Sequence, residues 1–157
     1  MQFHHMCIVT RQLDRQIDFW REIMGFTLAV RTSIPDGDAA GPTVFAPRSL
    51  MRDTFGDESA RATVALMTSA DGAMIELLAP EHPSVESTPA AQLLYRHTGI
   101  HELALAVSDI DVFFDKVRRA GHRLQTDYVW SCANLGRSFI FYDPEGNMIQ
   151  IWEPTAV

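Results

Sequence analysis

Four polar side chains interrupt strands that are otherwise apolar: His5, Glu76, Glu102 and Gln150. Imidazole nitrogen, carboxylate oxygen and amide oxygen are the donors that divalent cations take from proteins. A glutamate buried in an apolar strand without a partner costs several kcal/mol. A cation shared among the four removes that cost. The inventory of one imidazole, two carboxylates and one amide suits an oxygen-preferring divalent ion, among Zn, Ni, Co, Mn and Mg. Two carboxylates in one site push their proton affinities apart, so one of Glu76 and Glu102 can act as an acid or base near neutrality. Any one of these residues alone reads as the solvated face of a strand.

The four are grouped by an internal repeat. Residues 4–26, HHMCIVTRQLDRQIDFWREIMGF, and residues 101–122, HELALAVSDIDVFFDKVRRAGH, each read as a strand, a turn, an amphipathic helix and a glycine stop. Ile8 and Leu105, Leu13 and Ile110, Asp14 and Asp111, and Ile17 and Phe114 are all 97 positions apart. A second pair of segments, DGAMIELLAP at 71–80 and EGNMIQIWEP at 145–154, matches at an offset of 74. Two matches in the same order argue for a duplicated module. His5 then corresponds to Glu102, and Glu76 to Gln150.

Strand periodicity assigns their faces. Successive side chains on a strand point to opposite sides. Met6 and Ile8 share one side with helix-covered neighbours, and His5, Cys7 and Val9 share the other. Leu103, Leu105 and Val107 oppose Glu102, Ala104 and Ala106. Ile75 and Leu77 oppose Glu76, and Ile149 and Ile151 oppose Gln150. The small Ala104 and Ala106 leave room beside Glu102 for a ligand. Trp152 lies on the face of Gln150. Tyr128 and Trp130 are further candidates for a substrate wall, as is Cys7 in the role of a small apolar contact. Phe45 and Phe55 could extend that wall, and Arg48, Arg52 and Arg61 could meet an anion.

The pattern predicts an α+β fold of two tandem βαβββ modules in a single domain over 1–157. Module one spans 1–80, a linker 81–99 and module two 100–157. Strands are expected at 3–10, 26–32, 61–68, 73–79, 100–108, 122–130, 136–142 and 147–153, and helices at 13–24 and 110–120. Residues 34–60 carry Pro35, Gly37, Gly41, Pro42 and Pro47 and read as a long extended loop with at most one edge strand. The linker is expected to hold a short helix through Ala90–Arg96.

Composition excludes several classes. A net charge of −7 over 157 residues disfavours nucleic acid and anionic membranes as partners. No apolar run approaches the ~20 residues of a membrane-spanning helix. Charge enters too early for a signal peptide, and Cys7 and Cys132 make no disulfide framework, so a cytoplasmic protein is expected. The chain has no phosphate-cradling glycine loop and no Cys-x-x-Cys pair.

Residues 4–26, together with GIHELALAVSDIDVFFDKVRRAGH and FYDPEGNMIQIWEP, resemble the two modules of the vicinal-oxygen-chelate superfamily of glyoxalases, bleomycin resistance proteins and dioxygenases. The segment IELLAP followed by GIHELALAVSDID is most similar to glyoxalase I and methylmalonyl-CoA epimerases. The resemblance implies modules arranged in a curved, open mixed sheet, one divalent ion and a homodimer. It also implies ligands from the first and last strands of each module, which in this chain are His5, Glu76, Glu102 and Gln150. The implied chemistry is proton abstraction next to a carbonyl of a small organic substrate, of the isomerase or lyase type. Glu102 stands where many relatives carry His, and Gln150 where they carry Glu. That departure makes Glu102 the first choice for the base and gives weight to an alternative, a metal-free protein that sequesters an aromatic compound or drug. An extradiol dioxygenase needs two His and one carboxylate around iron, and ranks below both.

Overall fold

The computed structural model describes residues 2–155. The chain divides between Ser87 and Thr88 into two compact units, a boundary that falls inside the expected linker. Each unit carries one four-stranded sheet, and the two have the same topology.

In the first unit β1 is Met6–Val9, β2 Thr27–Ile34, β3 Arg61–Thr68 and β4 Met74–His82. The sheet order is β1-β4-β3-β2, with β1 parallel to β4 and the other pairs antiparallel. In the second unit β5 is Glu102–Ala106, β6 Trp130–Cys132, β7 Gly136–Tyr142 and β8 Met148–Pro154. Their order, β5-β8-β7-β6, repeats the first, again with one parallel pair at the β5 edge. The predicted duplicated βαβββ module is therefore present twice.

Each sheet is covered by its crossover helix on one face. Helix α1, Leu13–Asp18, continues as a π-helical turn at Phe19–Ile23. The expected helix over 13–24 is thus regular only in its first half. Met24 donates its N–H to the Phe19 carbonyl five residues back, at 3.3 Å. Ile17, Phe19 and Trp20 are buried with Phe26, Ala65, Met67, Ile75 and Leu77. Trp20 meets Phe26 edge to face at 5.0 Å between ring centres. In the second unit the crossover helix begins at Ile110. Asp109 caps it by accepting the Val112 N–H at 3.0 Å. This helix, Ile110–Arg119, buries Ile110, Phe114 and Val117. Across from it lie Phe139, Phe141, Ile149 and Ile151, all fully buried.

Two expectations fail. Residues 34–60 are not simply an extended loop. They contain helix α2, Arg48–Phe55, entered from Pro47 and stopped by Gly56 in the left-handed conformation at φ +70°. Met51 of α2 is 1% exposed and belongs to a cluster with Ile34, Ala46, Ala60, Ala62 and Val64, against which Phe55, Leu66 and Leu78 pack. Ala62, Val64, Leu66 and Leu78 lie on the sheet face opposite α1. The insertion therefore covers part of the face that carries Glu76. Deleting the Met51 side chain removes its contacts and leaves a cavity. Met51→Ala is expected to destabilise the protein by about 3 kcal/mol in a denaturant titration.

The strand expected at 122–130 is also absent. Only Leu124 makes a bridge, to Phe141, and pairing resumes at Trp130. The Thr126 hydroxyl donates to the Tyr128 carbonyl at 2.7 Å, a local bond that takes the place of a ladder partner.

Asp36 ties down the start of the insertion. Its carboxylate accepts the Phe45 and Ala46 N–H groups, each at 2.8 Å. These two bonds hold it below its ordinary value of 3.8, the Ala46 bond contributing most. A depressed value means the clamp is complete above about pH 4 and is lost as pH falls through the lower folded-state value. The Phe45 and Ala46 amide NMR shifts should move together in acid, below pH 4. In Asp36→Ala both amides should exchange faster with deuterium at pH 6.

Candidate functional site

The register of the first sheet places the expected donors side by side. Cys7 pairs with Glu76 across β1 and β4, and His5 stands just before β1, two residues upstream of Cys7. His5 Nε2 lies 3.4 Å from Glu76 Oε2, with the two side chains 37% and 21% exposed. Two donors at right angles around an ion, each about 2.1 Å from it, stand about 3 Å apart. The pair needs only a small rotation to meet that geometry. The burial of β1 and β4 follows the expected alternation, with Ile75 and Leu77 buried and Glu76 half-buried between them.

Strand parity singles out His5 and gives no role to its neighbour His4. In the structure its Nδ1 lies 2.7 Å from Nδ1 of His5, so one ring donates and the other accepts. A metal-binding His is usually fixed through its second nitrogen in this way. The signal available in the sequence was the doublet itself.

Cys7 Sγ lies 3.7 Å from Glu76 Oε1. Desolvation of the sulfur, and then the charge and hydrogen bond of Glu76, push the thiol up to about 12. It stays protonated at neutral pH and is no nucleophile.

The second sheet repeats the placement. Gln150 pairs with Ala104 across β8 and β5, and Glu102 lies two residues upstream of Ala104. Ala104 and Ala106 are exposed, so this stretch of the face is open. Trp130, Ser138, Trp152 and Ala106 form one row across the four strands, so Trp130 and Trp152 share the face of Gln150. Both are half-buried. The next rows run Ile140, Gln150, Ala104 and then Tyr142, Met148, Glu102. Ile140, Tyr142 and Met148 are buried, with Trp130 packed against them. Tyr128 is not brought into this row. It lies in the segment before β6 and is 59% exposed.

Four residues missed by the sequence reading, Tyr95, Tyr142, Gln125 and Arg123, stand at or beside this face. The Tyr95 hydroxyl, from the linker, donates to Glu102 Oε2. Burial and then Glu102 push the Tyr95 phenol well above its ordinary range. The Tyr142 hydroxyl donates to Gln125 Oε1, and the Arg123 guanidinium stacks over the Tyr142 ring at 3.4 Å. Only the tertiary fold brings these side chains to the strand of Glu102. His101, adjacent in sequence to Glu102, lies outside β5, and its Nε2 bonds the His97 carbonyl at 2.5 Å.

Among the described residues, no three His, Cys, Asp or Glu side chains gather at metal-holding spacing. Each unit contributes a pair of candidate donors. No helix among the described residues is long and apolar enough to cross a membrane.

The family model of the Glyoxalase/Bleomycin resistance protein/Dioxygenase superfamily matches residues 2–151. No curated protein sequence matches the chain. Among solved structures, a glyoxalase family protein from Bacillus cereus superposes with a TM-score of 0.80 at 22% identity, over 99% of this chain and 95% of that one. The trypanothione-dependent glyoxalase I of Leishmania major gives a TM-score of 0.62 at 15% identity, over 98% of this chain and 86% of that one. A fosfomycin resistance protein from Listeria monocytogenes, solved with Mn(II) and 1S,2S-dihydroxypropylphosphonic acid, gives 0.60 at 11% identity, over 96% and 88%. At these identities the structures establish the fold.

Proposed function

We propose, since the chain belongs to the Glyoxalase/Bleomycin resistance protein/Dioxygenase superfamily, that it is a divalent-metal enzyme of the isomerase or lyase type. Its reaction removes a proton next to a carbonyl of a small organic substrate. The observation that carries this reading is the doubled donor pair. His5 and Glu76 approach to 3.4 Å in one unit, and Glu102 and Gln150 occupy the same register points in the other. We assign these four as the metal-ligand residues, at one ion per chain. When bound, the ion supplies Lewis-acid stabilisation of charge developing on a substrate oxygen.

The protein's own groups do the rest. Glu102 is the base: its Oε1 would take the proton when released from the ion, while Oε2 keeps the bond from Tyr95. Trp130 and Trp152 give the substrate an aromatic wall. Phe55 and Leu66, partly buried beside the α2 cluster, give an apolar flank near Glu76. This arrangement suits a substrate with two neighbouring oxygens and an apolar or aromatic tail. The same reading assigns a homodimer in the cytoplasm.

The test is proton exchange. Mn(II)-loaded protein is incubated in D2O with a panel of α-hydroxy ketones and 2-oxoaldehyde hemithioacetals, and α-deuterium is followed by NMR. Exchange above background that stops on chelation supports the reading. No exchange across the panel with metal bound counts against it.

A second reading is favoured by the row of Trp130, Ser138 and Trp152. Two indoles flanking one small residue can hold a flat aromatic compound without metal. Under that reading chelator-stripped protein binds such a compound, with quenching of tryptophan fluorescence, and does not bind Mn(II).

A further inference from the structure

The linker between the two modules reaches the candidate site through one side chain. Tyr95 follows a short 3-10 turn at Ala90–Leu93. Two contacts seat this segment. Leu93 Cδ1 lies beside Gly146, at ordinary contact distance (3.4 Å) from where a Cβ would stand, and Gly146 holds φ +89° in the turn before β8. The Tyr95 ring lies 6.1 Å from the His101 ring, centre to centre. From this position the Tyr95 hydroxyl donates to Glu102 Oε2.

We propose that Tyr95 is a positioning residue that holds Glu102 as a one-oxygen ligand, with Oε2 tied to the phenol and Oε1 left for the cation. The inference rests on the metal-enzyme reading above. A free glutamate must lose its rotamer freedom when it ligates. A glutamate already tied by one oxygen has lost most of that freedom, so binding is tighter. A phenol donor leaves the carboxylate charged, unlike an Arg or Lys partner that would compete with the cation for it. Residues 81–99 are thus more than a spacer, since Tyr95 reaches Glu102.

The experiment titrates chelator-stripped protein with Mn(II), followed by calorimetry, in a double-mutant cycle of Tyr95→Phe and Glu102→Ala. Tyr95→Phe keeps the ring and its contact with His101, and circular dichroism and thermal melting check the fold. Mn(II) affinity is expected to fall about 10-fold in Tyr95→Phe. In the Glu102→Ala background, adding Tyr95→Phe should change affinity by less than about 2-fold, because alanine leaves the phenol nothing to tether. A general structural role for Tyr95 would instead lower affinity equally in both backgrounds, which would overturn the proposal. So would unchanged or tighter binding by Tyr95→Phe. If the unmutated protein binds no Mn(II), the metal-enzyme reading fails and the tether with it. If it binds Mn(II) and Tyr95→Phe binds equally well, only the tether fails.

Discussion

Glu76→Ala is expected to weaken Mn(II) binding by on the order of 100-fold or more. Loss of a group that merely orients a ligand costs ~10–100-fold in metal affinity, and loss of the ligand itself costs at least as much. Glu76 Oε2 stands 3.4 Å from His5 Nε2, and the substitution takes that oxygen away. It also removes the carboxylate beside Cys7. Glu81, at the exposed end of the same strand and bonded to the Thr63 hydroxyl at 3.1 Å, provides the control. Glu81→Gln should leave Mn(II) affinity unchanged. Equal effects from both variants would show that strand charge, not ligation, controls binding.

Glu102→Gln should slow α-deuterium exchange by ~100-fold or more, while the protein stays folded. The amide keeps the shape of the side chain, and its oxygen can still accept from Tyr95. What it loses is the ability to take a proton. Near-normal exchange in this variant would reject Glu102 as the base and transfer the role to Glu76. The contrast between the two substitutions is informative. Glu76→Ala is expected to act chiefly on metal affinity, and Glu102→Gln chiefly on turnover at saturating metal.

The sheet faces were legible in the sequence because strands have a period of two. Once Ile8, Leu105, Ile75 and Ile149 are assigned to the helix side, the faces of Cys7, Glu76, Glu102 and Gln150 follow. The internal repeat then supplied the correspondence of His5 with Glu102 and of Glu76 with Gln150. The register shows the same two-residue step from His5 to Cys7 and from Glu102 to Ala104. The family was legible for the same reason, since those segments carry the pattern.

What escaped is either short or non-local. Helix α2 has only eight residues, and Pro42, Pro47 and Gly56 on its flanks read as loop punctuation. In retrospect those flanks are start and stop signals, with Met51 and Phe55 one turn apart on the buried side. The contacts of Tyr95 with Glu102 and of Arg123 with Tyr142 have no periodic signature. They depend on how a linker and a strandless segment fold back on the sheet, which side-chain type and spacing do not encode. His4 was missed because parity was applied to a residue that lies outside the strand. β1 begins only at Met6, so neighbouring rings at positions 4 and 5 are free to meet.

The most direct measurement is a count of ions. Chelator-stripped protein is titrated with Mn(II), and free ion is read from its electron paramagnetic resonance signal. The account predicts one tight site per chain, abolished when His5 and Glu102 are both replaced by alanine, since one residue from each pair is then lost. No tight site in the unmutated protein, or a site that survives the double replacement, would contradict it.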